Sequence, residues 1–158
     1  MVEIYSPVGV DVEVTHTTPQ FTLGTRARGE GQREYVYIQA SEALDQYDCV
    51  GADESFAAAQ FTDTEAEDAW KFGVVPVAFA ADAYGWMQVK GPCTFNGLAV
   101  SADTVLVSTA TAGALDDVTN AGVRIQGIVA LAANMITTKT AISGFMAVEP
   151  FSELPSLD

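Results

Sequence analysis

Positive charge is what this chain has least of. Lys and Arg number 7 against 21 Asp and Glu, a formal net charge of −14 over 158 residues. Such a surface repels phosphate backbones and anionic lipid, which argues against nucleic-acid and membrane partners. Histidine is scarcer still, since His16 is the only one. It lies between Thr15 and Thr17, with no HExxH context and no GxSxG elbow to serve. One His and two distant Cys make a poor supply for zinc, which takes three or four N or S ligands. The glycines form no GxGxxG or GxxxxGK[ST] pattern, so no phosphate cradle is expected.

Cys49 and Cys93 are the only cysteines. They lack CxxC spacing and could pair only if the fold brought them together. Two free, buried thiols in a protein made in a reducing cytoplasm is the expected state. No run approaches ~20 apolar residues, so no transmembrane helix is expected. Met1-Val2-Glu3-Ile4-Tyr5-Ser6-Pro7 has neither a basic start nor a long apolar stretch, which argues against an ordinary signal peptide.

What is present is β patterning. Val8, Val10, Val12 and Val14 alternate with Gly9, Asp11 and Glu13, the period of a half-buried strand. Tyr35-Val36-Tyr37-Ile38-Gln39-Ala40 is echoed by Tyr84-Gly85-Trp86-Met87-Gln88-Val89. Each is followed further on by a similar ending, Val50-Gly51-Ala52-Asp53 and Val100-Ser101-Ala102-Asp103. Side chains alternate faces along a strand. Both blocks therefore place two aromatics and a Gln on one face and smaller apolar residues on the other. Further extended segments are expected over 74–81, 104–108, 123–131 and 141–148, with Gly127 and Gly144 marking bends or bulges. Helix is expected only as one turn over 56–60 and about two turns over 65–72. The latter follows Thr62, which has capping-box spacing to Glu65. Many short strands with frequent turns indicate a mainly β fold, a small barrel or sandwich with one or two short helices. An extended arm over 1–20 would precede a single β-rich domain over 21–158.

Candidate chemistry is thin. The acidic run Asp63-Thr64-Glu65-Ala66-Glu67-Asp68 lacks the Asp-x-Asp-x-Asp-Gly loop of an EF-hand and reads as a solvated helix start. Asp116-Asp117 reads as a turn whose carboxylates bond their own backbone. Tyr35, Tyr37, Tyr84 and Trp86 would form a stacking platform for sugars or bases if exposed side by side. Cross-strand aromatic packing accounts for them equally well. No set of residues offers nucleophile, base and charge stabiliser together, so no enzyme, metal or cofactor is expected.

Phe21-Thr22-Leu23-Gly24-Thr25-Arg26, then Gly29 and Glu34-Tyr35-Val36-Tyr37-Ile38-Gln39-Ala40, resembles the opening of the head-decoration, or cement, proteins of tailed bacteriophages. Gly73-Val74, Tyr84 through Gly91 and Gly122-Val123-Arg124-Ile125-Gln126-Gly127 continue in the same style, so the resemblance spans roughly residues 20 to 148. It implies a tulip-like β domain with an extended N-terminal arm, bound outside the capsid and commonly trimeric. It carries over no catalytic residue. The expected function is then a virion structural protein, made in the host cytoplasm, that bridges subunits of the major capsid protein. Val8, Val10, Val12 and Val14, with Phe21 and Leu23, would be the docking stripe, adding a strand to the lattice. Another virion component, such as a tail-tube or head-fibre subunit, and a carbohydrate-binding β-module are the competing expectations.

Overall fold

The computed structural model describes residues 10–68, 71–117 and 122–152. It is mainly β, with 45% strand against 4% helix, which decides the class. In chain order the strands are β1 (Arg26–Arg28), β2 (Glu34–Ala40), β3 (Cys49–Ala52), β4 (Ala57–Gln60), β5 (Lys71–Val74), β6 (Tyr84–Gly97), β7 (Leu106–Ser108), β8 (Leu115–Asp116), β9 (Arg124–Ala130) and β10 (Thr140–Ser152). One helical turn, α1 (Glu65–Asp68), separates β4 from β5.

The pairings close on themselves. β2 pairs with β4 in parallel, β4 with β3, β3 with β5, β5 with β6, and β6 returns to β2, giving a closed five-stranded barrel. A second ring follows the same rule: β6 with β8 in parallel, β8 with β7, β7 with β9, β9 with β10, and β10 back to β6. In both rings the first and third strands are the parallel pair. The fold is thus a duplicated five-strand topology joined through β6, whose 14 residues serve both rings. Closure satisfies backbone groups that an open sheet would leave at its edges.

This changes the reading of the repeat. Tyr35–Ala40 and Tyr84–Val89 are the first and last strands of one barrel, not corresponding strands of two. They pair antiparallel with Tyr35 opposite Gln88, Tyr37 opposite Trp86 and Gln39 opposite Tyr84. The shared-face reading is correct, because those six side chains do lie together. The duplication instead relates β2 to the second half of β6, and β5 to β9. Its sequence echo is Gly73-Val74 against Gly127-Ile128, on equivalent strands. Val100 to Asp103, the second supposed ending, forms no strand.

Period-two alternation gives β2 and the first half of β6 two faces. One is turned into the first barrel and one carries Tyr35, Tyr37 and Trp86, while the second half of β6 lines the second ring. Val36, Ile38, Ala40, Met87 and Val89 fill the first barrel with Leu44, Val50, Val75 and Phe79. The second ring encloses Phe95, Leu106, Leu115, Ile125, Ile128, Ile142 and Met146, and the cluster reaches across to Cys49, Phe61, Phe72 and Val74. Phe61 and Phe72 meet edge to face at 5.0 Å between centroids. Each large side chain buried this way contributes ~1.5–3 kcal/mol of gross stabilisation.

Two expected helices are corrected. Ala57–Gln60 is a strand, pairing with β3 and β2. The Asp53 carboxylate accepts from the Ser55 and Ala57 amides, and Phe56 turns the chain with φ 64°, so a helix cannot propagate. The second helix is only α1. Thr62 Oγ1 accepts from the Glu65 amide at 3.3 Å as the capping pattern expects, but Lys71 and Phe72 are already in β5. Val10 to Val14 is not a strand either. Val8 lies outside the described residues.

Candidate interaction surface

The leading segment does not stand off as an arm. Val10, Val12, Phe21 and Leu23 pack on a cluster of Ala27, Tyr35, Tyr37 and Trp86, alongside Tyr84. Burying the valines on one aromatic face leaves no reason for them to alternate in an extended strand. His16 bridges Tyr84 through two backbone hydrogen bonds of 2.8 Å. The Gln20 amide donates to the Tyr37 hydroxyl at 3.1 Å, and that hydroxyl lies 3.2 Å from His16 Nδ1. Residues 10–25 are therefore a strap closed over the aromatic face. Val14 is the described member of the expected docking stripe that faces outward, at 43% exposure.

The strap also removes the stacking platform. Tyr37 and Trp86 sit with centroids 5.0 Å apart, and Tyr37 stacks near Tyr84 at 6.5 Å. Phe21 meets both Tyr37 and Trp86 at 5.3 Å. Tyr35, Tyr37 and Trp86 are buried and Tyr84 half-buried, so no planar ligand reaches the rings with the strap in place. Trp86 Nε1 is buried without a hydrogen-bond partner.

Of the carboxylates singled out in sequence, Asp63 bonds a side chain and Asp116 and Asp117 bond backbone amides. Asp63 accepts from Ser108 Oγ at 2.6 Å, and the same Oγ accepts from the Val123 amide. Asp117 accepts from the Ser101 amide at 2.7 Å, while Asp116 accepts from that of Asp117. Among the described residues no group of His, Cys, Asp and Glu is placed to hold a metal ion. None of the helices described is long and apolar enough to cross a membrane.

A buried polar junction between the rings had no sequence signal. Asp48 is fully buried in the β2–β3 connection. Its carboxylate accepts from the Asp45 amide at 2.9 Å, Gln60 Nε2 at 2.6 Å and Asn96 Nδ2 at 3.0 Å. Lys139, from the second ring, completes the set by an ion pair with Asp48 and reaches Asp45 at 3.3 Å. Burial works to lower the Lys139 pKa, but hydrogen bonding and attraction to Asp48, helped by Asp45, hold it above its ordinary value. Gly113 closes the junction with φ +74°, where a Cβ would lie 2.5 Å from the Asp48 carboxyl group. Asp48, Gln60, Asn96 and Lys139 lie far apart in the chain, so no local pattern announces them.

Both cysteines are free and buried. Burial pushes the Cys93 thiol up to about 12 and the Cys49 thiol well above its ordinary value. The nucleophile is the thiolate. Alkylation near pH ~8 is expected to leave both thiols unmodified in the folded protein and to label both in denaturant, checked by intact mass. A thiol pKa raised by folding favours the protonated form, so this contribution to stability is complete below the ordinary value of 9.0. It is lost as pH rises from there towards about 12. Chemical denaturation across that window is expected to show falling stability.

The surface itself is uneven. Exposed large apolar side chains among the described residues are Val14, Val105, Val129, Leu131, Met135 and Ile136, and all but Val14 belong to the second ring and its loops. Those loops are tied together. The Asp103 amide donates to Ala130 O at 3.0 Å, and the Asn134 amide to Val100 O at 2.7 Å. The sequence carried a matching signal in its charge. No Asp or Glu occurs between Asp117 and Glu149, while Arg124 and Lys139 do.

No protein-family profile matches this chain. No curated protein matches it.

Proposed function

We propose that the protein is a virion structural protein that binds the outer surface of a phage capsid and stabilises the shell by bridging subunits of the major capsid protein. The observation that supports this reading is the gathering of exposed apolar side chains on one part of an otherwise strongly acidic body. Val105 and Val129 line one groove there, and exposed apolar surface marks contact with other macromolecules. A closed barrel joined through β6 to a second ring of paired strands suits a clamp, because modest contacts to several subunits add through multivalency. The work is done by binding alone, without catalysis, on the capsid surface after synthesis in the host cytoplasm.

The docking stripe is narrowed from the sequence expectation. Val10, Val12, Phe21 and Leu23 cover the chain's own aromatics, which leaves Val14 as the described member of the stripe available to the shell, Val8 lying outside the described residues. Electron microscopy of particles carrying and lacking this chain tests the proposal. Ordered density on the outside of the shell, and earlier heat disruption of particles without it, are expected. Particles of equal heat stability with no external density would overturn it.

A further inference from the structure

Asn96-Gly97 is the single Asn-Gly pair in the chain, since Asn120 and Asn134 are followed by Ala121 and Met135. Glycine after asparagine leaves the next backbone nitrogen unshielded by any Cβ. That is the arrangement in which this nitrogen most readily attacks the carboxamide. In the fold the pair is held fast. Asn96 lies opposite Ala141 and Gly97 opposite Thr140 in the β6–β10 ladder. The Asn96 amide donates to Tyr47 O and the Leu98 amide to Leu115 O, both at 2.8 Å. Asn96 Nδ2 donates to Gln46 O and to Asp48 Oδ1, each at 3.0 Å, so both hydrogens of the carboxamide nitrogen are committed. Asn96 is buried, and a Cβ on Gly97 would stand 2.5 Å from Ile142 Cδ1. Packing thus favours glycine after the very asparagine that the Asp48 junction uses as a donor.

We propose that Asn96 is a deamidation site that the folded state shields and the unfolded chain exposes. In the unfolded chain the Gly97 nitrogen bonds to Asn96 Cγ and the Cγ–Nδ2 bond breaks. Nδ2 leaves as ammonia, carrying the Gly97 amide proton. Water then adds to the resulting succinimide and opens it to an aspartyl or an isoaspartyl carboxylate. In the fold, extended pairing keeps the Gly97 nitrogen from turning back on Cγ, and the bonds to Gln46 and Asp48 hold the leaving group in place. Burial withholds the water that the second step consumes.

Once made, the change has no place in the junction. A carboxylate here loses both donors, faces Gln46 O as a second acceptor and sets a like charge beside Asp48, which Lys139 already pairs. An uncompensated buried charge is strongly destabilising. The isoaspartyl form also adds a main-chain carbon, which disturbs the register of β6 against β10. Only chains with Asn96 intact therefore refold, and time spent unfolded becomes an irreversible loss.

To test this, the full chain is held at mildly alkaline pH, folded or in denaturant, and peptide mapping by mass spectrometry reads the amide-to-acid change at each asparagine. In denaturant, conversion at Asn96 is expected to outpace that at Asn120 and Asn134. In the folded protein, no conversion at Asn96 is expected over the same time. On dilution from denaturant, the fraction regaining the native circular dichroism spectrum is expected to fall in step with the converted fraction, while chains unfolded only briefly refold fully. Gly97→Ala is expected to slow conversion at Asn96 in denaturant, which the mapping reads whether or not that variant folds. Asn96→Asp is expected to unfold at markedly lower denaturant than the parent chain. Equal conversion in folded and unfolded protein, no preference for Asn96, or no slowing by Gly97→Ala would each overturn the proposal. So would converted chains that regain the native spectrum, or an Asn96→Asp protein as stable as its parent.

Discussion

Lys139→Met is expected to destabilise the fold by about 3–5 kcal/mol, measured by chemical denaturation. The change leaves the Asp48 carboxylate fully buried, with neutral donors from Gln60 and Asn96 but no countercharge. Asp48→Ala is expected to cost a similar amount, since Lys139, Gln60, Asn96 and the Asp45 amide lose a shared acceptor. The double variant should cost clearly less than the two singles combined, because neither charge is then left without its partner. Simple additivity would mean that the pair does not couple the rings. The sign with pH follows from the upward shift of Lys139. Its contribution is complete below the ordinary lysine value of 10.5 and fades as pH climbs past it, adding to the alkaline loss from the two thiols.

Deleting residues 1–20 is expected to cost several kcal/mol more than deleting residues 1–9. Both deletions remove the segment before Val10. Only the longer one removes Val10, Val12, the His16 bridge to Tyr84 and the Gln20 bond to Tyr37, stripping cover from Tyr37 and Trp86. Phe21 and Leu23 would remain in sequence without the chain that presses them onto the rings. Phe21→Ala alone is expected to cost about 2–3 kcal/mol, below the range for a fully buried Phe because the ring is half-buried. Thermal unfolding of the three variants checks this. Equal stability of the two deletions would show that residues 10–20 are dispensable to the fold. The comparison also reads loss of residues 1–9 separately from loss of the described strap over Tyr37 and Trp86.

The mainly β class, the faces of Tyr35–Ala40 and Tyr84–Val89, the Thr62 cap and the local backbone bond of Asp116 were legible in the sequence, whereas Asp117 reaches the Ser101 amide, 16 positions away. The legible ones depend on residues within a few positions of one another, where alternation and side-chain chemistry act directly. The leading valines show where that logic stops. Their alternation is real, but the aromatic face of β2 and β6 offered more apolar contact than a ladder did, and burial overrode local pattern. The alanines of Ala57-Ala58-Ala59 became a strand for a related reason, with Asp53 and the left-handed Phe56 blocking the helix that their propensity favours.

Composition and alternation by themselves determined that this chain folds as acidic, short-stranded β structure with Tyr35, Tyr37, Tyr84 and Trp86 on one face. Only the tertiary structure decided that the strands close into two rings sharing β6, and that Asp48 and Lys139 lock those rings together. It alone also determined that, among the described residues, the exposed large apolar side chains other than Val14 lie in the second ring and its loops. The reason is separation along the chain. Ring closure and the Asp48–Lys139 pair join residues tens of positions apart. Which apolar stripe stays exposed is settled only once every other stripe has found a partner.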